Sequence, residues 1–177
     1  MKNIISMCAI SAGLLSITTA IAEPVVKWEV ESLVPIYFFG GSHAAIGARV
    51  DDWRVRTSCI DGGRYDYEPK NQAVERNLGK GCGVFLGYFF TPNWEVYLFV
   101  EKQSYQVTHR TTLETHRFDV IDVGPGVGYQ YFIGKDFYVQ PALHLYWRPS
   151  QSKVIGGSNY SLPNTDISVV ARLGYRF

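Results

Sequence analysis

The chain has 177 residues, with 17 Lys and Arg against 16 Asp and Glu and a formal net charge of +1. That length allows one domain with its own core, and so even a charge balance leaves no basic footprint for nucleic acid. Aromatic residues make up 15% of the chain and there are 17 glycines, which suits either a β-barrel or a soluble β-sandwich.

The first segment, Met1 to Ala22, carries a basic residue (Lys2), an apolar stretch from Ala9 to Ile17, and small residues at Ala20 and Ala22. This is the pattern of a secretory signal ending in an A-x-A site. Residues 1–22 are therefore expected to be removed, with Cys8 among them, leaving residues 23–177 as a single domain that begins at Glu23. Ser11, Ser16, Thr18 and Thr19 interrupt the apolar run and argue against a retained anchor. Downstream, no stretch has the roughly 18 consecutive apolar residues of a membrane helix. A barrel needs none, because only every second residue of its strands meets lipid.

Period-two alternation marks about eight strands, a common size for small barrels. They are expected near Lys27–Phe38, Ser42–Val50, Trp53–Ile60, Cys82–Phe90, Trp94–Thr108, Arg117–Ile133, Phe137–Arg148 and Asn164–Phe177. Asp51-Asp52, Thr91-Pro92-Asn93 and Gly134-Lys135-Asp136 are tight turns built from turn-forming residues. Asp61–Gly81, His109–His116 and Pro149–Pro163 are longer and polar, while Phe39-Gly40-Gly41 is a short link on their side. Short periplasmic turns and longer external loops are the habit of outer-membrane barrels.

Each strand has one apolar and one polar face. Phe137, Val139, Leu143, Leu145 and Trp147 oppose Tyr138, Gln140, His144 and Arg148; Trp28 and Val30 oppose Glu29 and Glu31. A soluble barrel buries the apolar set, whereas a membrane barrel turns it outward. Alternation cannot choose between the two, but aromatic placement favours the membrane. Trp28, Trp53, Phe90, Trp94, Phe137, Tyr175 and Phe177 share the apolar face near the tight turns, as a girdle at a membrane–water interface would.

The polar face then lines the interior. Continuing the pairing through Gly134-Lys135-Asp136 sets Asp122 opposite Arg148, Gly126 opposite His144 and Gln130 opposite Gln140. The Thr91-Pro92-Asn93 turn sets Gly87 opposite Tyr97 and Gly83 opposite Glu101. A Phe39-Gly40-Gly41 turn sets Glu31 opposite Arg49. Arg54, Arg56, Arg172 and Arg176 share this inward parity. Buried charge has to be paired or hydrated, so Glu31, Arg49, Asp122 and Arg148 are the expected members of an ion-paired lumen with no open channel.

Candidate chemistry is sparse. Cys59 and Cys82 flank the Asp61–Gly81 loop, and in an oxidising envelope they are expected to form a disulfide; too few ligands lie nearby for a metal. Gly124-Pro125-Gly126-Val127-Gly128 has strand pattern on both sides and lacks the glycine turn that opens a helix for phosphate binding. Ser42-His43 and Ser104 with His109 offer no evident triad with an orienting carboxylate. No catalytic site, metal or cofactor is expected.

The last strand alternates from Asp166 to Phe177, with Ile167, Val169, Ala171, Leu173, Tyr175 and Phe177 on one face. Together with the signal and the alternating strands, this resembles small outer-membrane barrels of the OmpA-transmembrane, OmpX and OmpW type. The resemblance lies in architecture. It implies an all-β fold, an eight-stranded antiparallel up-and-down transmembrane β-barrel in the bacterial outer membrane. It also implies that Tyr175 and Phe177 form the signal read by the barrel-assembly machinery, and that outer-membrane lipid and lipopolysaccharide surround the wall. A non-enzymatic structural or surface-interaction role is the leading expectation, with the Asp61–Gly81 loop as its surface. A lipid-modifying enzyme of the outer leaflet, a conduit for small hydrophobic compounds and a soluble lipocalin-like binder stay open.

Overall fold

A computed structural model describes residues 25–177. The expected signal, Met1–Ala22, and the expected mature start at Glu23 lie outside the described residues. The elements run β1 (Val26–Leu33), α1 (Val34–Tyr37), β2 (Ser42–Val50), β3 (Trp53–Asp61), β4 (Val74–Phe89), β5 (Trp94–His109), β6 (Thr115–Tyr129), β7 (Tyr131–Ile133), β8 (Phe137–Trp147), β9 (Gln151–Ile155), β10 (Ser158–Leu162) and β11 (Thr165–Arg176).

The main sheet has the order β11-β1-β2-β3-β4-β5-β6-β8-β7, and β11 also pairs with β8, so it closes on itself. β6 and β7 are two parts of one wall strand. Gly126 faces His144 and Tyr131 faces Val139 in a continuous register against β8. The break falls at Gln130, whose N–H donates to Asn93 O while Asn93 Nδ2 donates back to Gln130 O. The wall is thus an eight-stranded antiparallel barrel. β9 and β10 form a separate hairpin beyond it.

Parity along every wall strand turns the fold inside out relative to a water-soluble protein. Trp53, Leu98 and Val169 are 55%, 65% and 80% exposed, whereas Arg54 and Arg148 are 1% and 2% exposed. Near the tight turns the outward aromatics touch one another: Trp53 and Tyr88 centroids lie 5.0 Å apart, and Phe137 and Tyr175 lie 4.7 Å apart. Asp51 accepts the positive φ of 51° that its two-residue hairpin turn demands.

Most registers follow the turn chemistry. Gly87 faces Tyr97, Gly83 faces Glu101 and Gly126 faces His144. The β1–β2 register differs from expectation. Glu31 faces Ala45, and Arg49 faces Lys27. Pro35 has no N–H to place in a ladder and suits the first turn of a helix. The chain accordingly leaves the sheet after Leu33 and winds through α1, so the connection is longer than a three-residue turn.

β4, β5 and β6 extend past the other strands on the loop side, because β4 begins at Val74 inside the segment read as loop. A bulge between Leu78 and Gly81 shifts the pairing by one residue, and Ser104 Oγ donates to Lys80 O across it at 2.9 Å. Val74, Leu78, Tyr105, Val107, Phe118, Val120, Ile155 and Leu162 form a small apolar core here, under the β9–β10 hairpin. Cys59 and Cys82 occupy paired positions of β3 and β4 and are disulfide-bonded. Replacing both with serine is expected to lower stability by about 3 kcal/mol through lost loop closure. Urea unfolding of the two forms in the same lipid checks this.

Candidate functional site

Inward parity gathers charged side chains in the half of the lumen nearest the tight turns, with Arg54 as their hub. Its Nη1 donates to Glu29 Oε2 at 2.7 Å and Glu31 Oε1 at 2.8 Å, and its Nε donates to Glu95 Oε1 at 2.8 Å. Its Nη2 completes the fork on Glu95 and reaches Gln140 Oε1 at 3.1 Å. Arg56 Nη1 donates to Glu31 Oε2 at 2.8 Å, and Tyr138 Oη donates to Glu31 Oε1 at 2.7 Å. Arg176 closes the cluster, its Nε donating to Glu29 Oε1 at 2.8 Å. Each carboxylate has at least one guanidinium within hydrogen-bond range, which offsets the several kcal/mol that desolvating an ion costs.

Above this tier lies an aromatic layer of Phe85, Tyr97, Phe99 and His144. Arg172 Nη2 donates to His144 Nε2 at 2.9 Å. Arginine only donates, so Nε2 accepts, and the proton sits on Nδ1, facing Tyr146 Oη at 2.8 Å. Glycines clear space for these rings: a Cβ at Gly126 would collide with the Tyr97 ring, and one at Gly174 would collide with the Tyr138 ring.

A second ionic tier sits on the loop side. Arg148 Nε donates to Asp122 Oδ1, its Nη1 to Asp166 Oδ2 at 2.6 Å, and its Nη2 to Tyr105 Oη at 3.0 Å. Arg76 holds Asp166 with two bonds of 2.7 and 3.0 Å. Between the tiers, buried Glu101 has no ion pair among the described residues. Gln103 Oε1 and Arg172 Nη1 also lack hydrogen-bond partners there. A small cavity of about 60 Å³ adjoins all three, room enough for water.

Of the residues singled out from sequence, Asp122 and Arg148 meet, as do Cys59 and Cys82. Glu31 and Arg49 do not. Arg49 stacks 3.6 Å above the Phe89 ring and donates to Asp51 O at 2.9 Å, while Glu31 takes Arg54 and Arg56. Tyr175 packs 5.1 Å from Phe177, whose N–H donates to Trp28 O at 2.9 Å. Glu95 and Gln140 escaped the sequence reading as partners although both lie in the inward set. Arg76 escaped because it fell in an assigned loop. Among the described residues, no group of three His, Cys, Asp or Glu is placed to hold a metal. Ser104 and His109 make separate contacts, with Lys80 O and Thr112.

The outer loops are themselves tied down. Desolvation opposes charge on Asp66, but its hydrogen bonds from Arg110 and from the N–H groups of Glu68 and Arg76 win, holding its carboxyl below the ordinary value. Burial and the neighbouring Tyr65 push the Tyr67 hydroxyl up to about 12. Burial and the accepting Glu68 carboxylate raise Tyr160 as well.

No family model and no curated protein matches the chain. Solved structures do. The N-terminal β-barrel domain of Pseudomonas aeruginosa OprF is 17% identical, with 86% of this chain and 96% of that one covered at a TM-score of 0.50. A major outer membrane protein from Thermus thermophilus is 14% identical, with 86% and 100% covered at a TM-score of 0.53. The chain has the fold of the small outer-membrane β-barrels.

Arg54→Met is expected to leave Glu95 without a guanidinium, and Glu29 and Glu31 hydrogen-bonded to those of Arg176 and Arg56, and to cost about 3–5 kcal/mol, as removal of one partner from a buried ion pair does; urea midpoints in lipid measure it. A separate effect concerns the loop over residues 62–73. Because the Asp66 carboxyl is lowered when folded, its contribution is present above the ordinary value and is lost as pH falls through the folded one. Amide protection at Glu68 and Arg76 should drop on acidification in the native chain, and be low at all pH in Asp66→Asn.

Proposed function

We propose that this chain is a bacterial outer-membrane barrel without enzymatic activity, whose filled lumen passes no solute and whose role is exercised by its outer loops. The observation that carries this is the inversion of the wall: apolar side chains face outward on every strand, with tryptophans on β1, β3, β5 and β8, while interlocked guanidinium and carboxylate groups face inward. In water that arrangement exposes a continuous apolar surface far larger than soluble proteins carry. In a bilayer it is the stable one.

The two ionic tiers and the aromatic layer between them support a closed lumen. The girdle of Trp28, Trp53, Trp94 and Phe137 suits one membrane interface. Outer-membrane lipid and lipopolysaccharide are then the surroundings of the wall, and Tyr175 and Phe177 the part offered to the barrel-assembly machinery. The loop over residues 62–73, braced by Arg110 and Tyr160, together with the β9–β10 hairpin, is the surface left for an external partner. The structural neighbour from Thermus thermophilus is described as an outer membrane protein, which agrees with this location.

Three measurements test the reading. The protein in the outer-membrane fraction should migrate differently on a denaturing gel before and after boiling, because folded barrels resist detergent until heated. Inserted into a planar bilayer, it should give no discrete conductance steps. Recovery from the soluble periplasm without a gel shift would sink the membrane assignment. Reproducible channel steps would sink the closed lumen, and loss of a lipid A modification on deleting the gene would sink the non-enzymatic role.

A further inference from the structure

The wall is not equally closed on the two sides of β11. Toward β8 the ladder runs from Tyr175 opposite Phe137 to Thr165 opposite Trp147. Toward β1 it runs only from Arg176 opposite Glu29 to Arg172 opposite Leu33. The cause is Pro35, which ends β1 and starts α1. α1 packs against β11 without continuing the ladder.

Alternation decides which groups this leaves bare. The Arg176 N–H donates to Asp136 O, just before β8, and the Phe177 N–H donates to Trp28 O of β1. Even-numbered residues of β11 therefore turn their N–H and C=O groups toward β8, and odd-numbered residues turn theirs toward β1. Ile167 and Val169 belong to the second set and lie beyond the last pair with β1. No backbone group among the described residues bonds theirs on that side. They offer donors and acceptors that repeat at roughly 6.6 Å along the strand.

A cavity of about 460 Å³ adjoins this edge and α1, within the roughly 300–1,000 Å³ of ligand sites. Phe39 and Tyr65, 40% and 44% exposed, line it at the long-loop end of the barrel, so it is reached from that side. Ile60, Leu78 and Tyr146, all turned inward, lie at its inner end. The charged groups around it are engaged, Arg76 with Asp166 and Asp66 with Arg110, so an occupant finds no free counter-charge. Hydrocarbon cannot satisfy bare backbone groups, and a polyol can bond them without matching their repeat. An extended peptide does both, because its own N–H and C=O groups recur at the same two-residue interval and add to the ladder. Its alternate side chains then share the inward face of Ser168 and Val170, where Ile60, Leu78 and Tyr146 suit an apolar one.

We infer that the seam between β1 and β11 is a docking site for an extended, uncharged segment of an extracellular polypeptide. The segment pairs with Ile167 and Val169 and sets one apolar side chain against Ile60, Leu78 and Tyr146. This rests on the outer-membrane barrel reading above, which puts the long-loop side outside the cell.

The protein is refolded into phosphatidylcholine nanodiscs, and its amide exchange is followed by NMR with and without the blocked pentapeptide Thr-Val-Leu-Val-Thr. In the free protein the amides of Ile167 and Val169 are expected to exchange fast, while those of Ser168 and Val170, bonded to β8, stay protected. Peptide at about ten times its Kd slows the first two about tenfold. N-methylation of the central leucine, whose N–H points away from β11, is expected to spare the effect; N-methylation of both valines is expected to abolish it. Proline is tolerated where the N–H of a strand has no partner. Val169→Pro is therefore expected to keep the heat-dependent gel shift and lose the peptide effect, and if it does not fold, Ile167→Pro takes its place. Three results overturn the site and leave the barrel reading intact, in wild-type protein that keeps its gel shift. They are no slowing at millimolar peptide, equal action of the two methylated peptides, and Ile167 and Val169 already protected in the free protein, as a second copy on this edge would make them. Wild-type protein without the gel shift overturns both.

Discussion

A guanidinium with almost no access to solvent has to find its counter-charges inside the protein, and Arg54 finds them on strands from around the ring. Glu29 and Glu31 come from β1, Glu95 from β5 and Gln140 from β8. None of these strands except β1 and β8 lies within two places of β11, where the sheet closes. The cluster can therefore form only once the sheet has curled into a ring, and the ring in turn leaves these groups nowhere else to go. Single buried ion pairs are weak evidence of stability, because desolvation consumes most of the attraction. Their value here is in specificity: a slip of one residue in any contributing strand would send its charge to the outer face and leave its partners buried and unpaired.

The interior is layered because the strands taper in chemistry along their length. Near the tight turns the inward residues are charged; in the middle they are aromatic, set against glycines; on the loop side they are charged again around Arg148. Past that second tier the inward residues of β4, β5 and β6 become apolar, and the β9–β10 hairpin supplies Ile155 and Leu162 to cover them. A sheet extension that projects beyond a barrel has one face without a partner. This hairpin provides one, and the disulfide at the base of the extension fixes β3 to β4 where the projection begins.

The wall was legible in sequence because strand parity is a two-valued code that a tight turn carries from one strand to the next. Given Gly134-Lys135-Asp136, the pairing of Gly126 with His144 follows by counting, and so does the meeting of Asp122 with Arg148. Partners across the lumen were not legible. Parity states that Arg54 and Glu95 both point inward, but not that the curvature of the ring brings β3 and β5 together at that height. Residues 74–81 read as part of the Asp61–Gly81 loop because β4 before Gly81 has the opposite inward parity from the rest of that strand. The bulge between Leu78 and Gly81 absorbs the change, and a period-two search that tolerates no insertion stops at Cys82.

The misplaced β1–β2 register and the open seam beside β11 have one origin. Val30, Val34 and Ile36 read as the continuation of a strand, but Pro35 between the last two withdraws a donor and its ring favours a helical turn. β1 therefore ends at Leu33, Arg49 loses Glu31 as its opposite, and β11 is left with an edge that no strand covers. Bare backbone groups are not tolerated against hydrocarbon, where each costs several kcal/mol; they persist only beside protein or a cavity. α1 and the cavity beside it meet that condition. A proline that merely shortened β1 would invite its neighbours to close up, and β2 could do so only by giving up its ladder with β3, which is paired from Ser42 to Val50. The gap is thus held open by the strands around it, as a slot in a rigid wall.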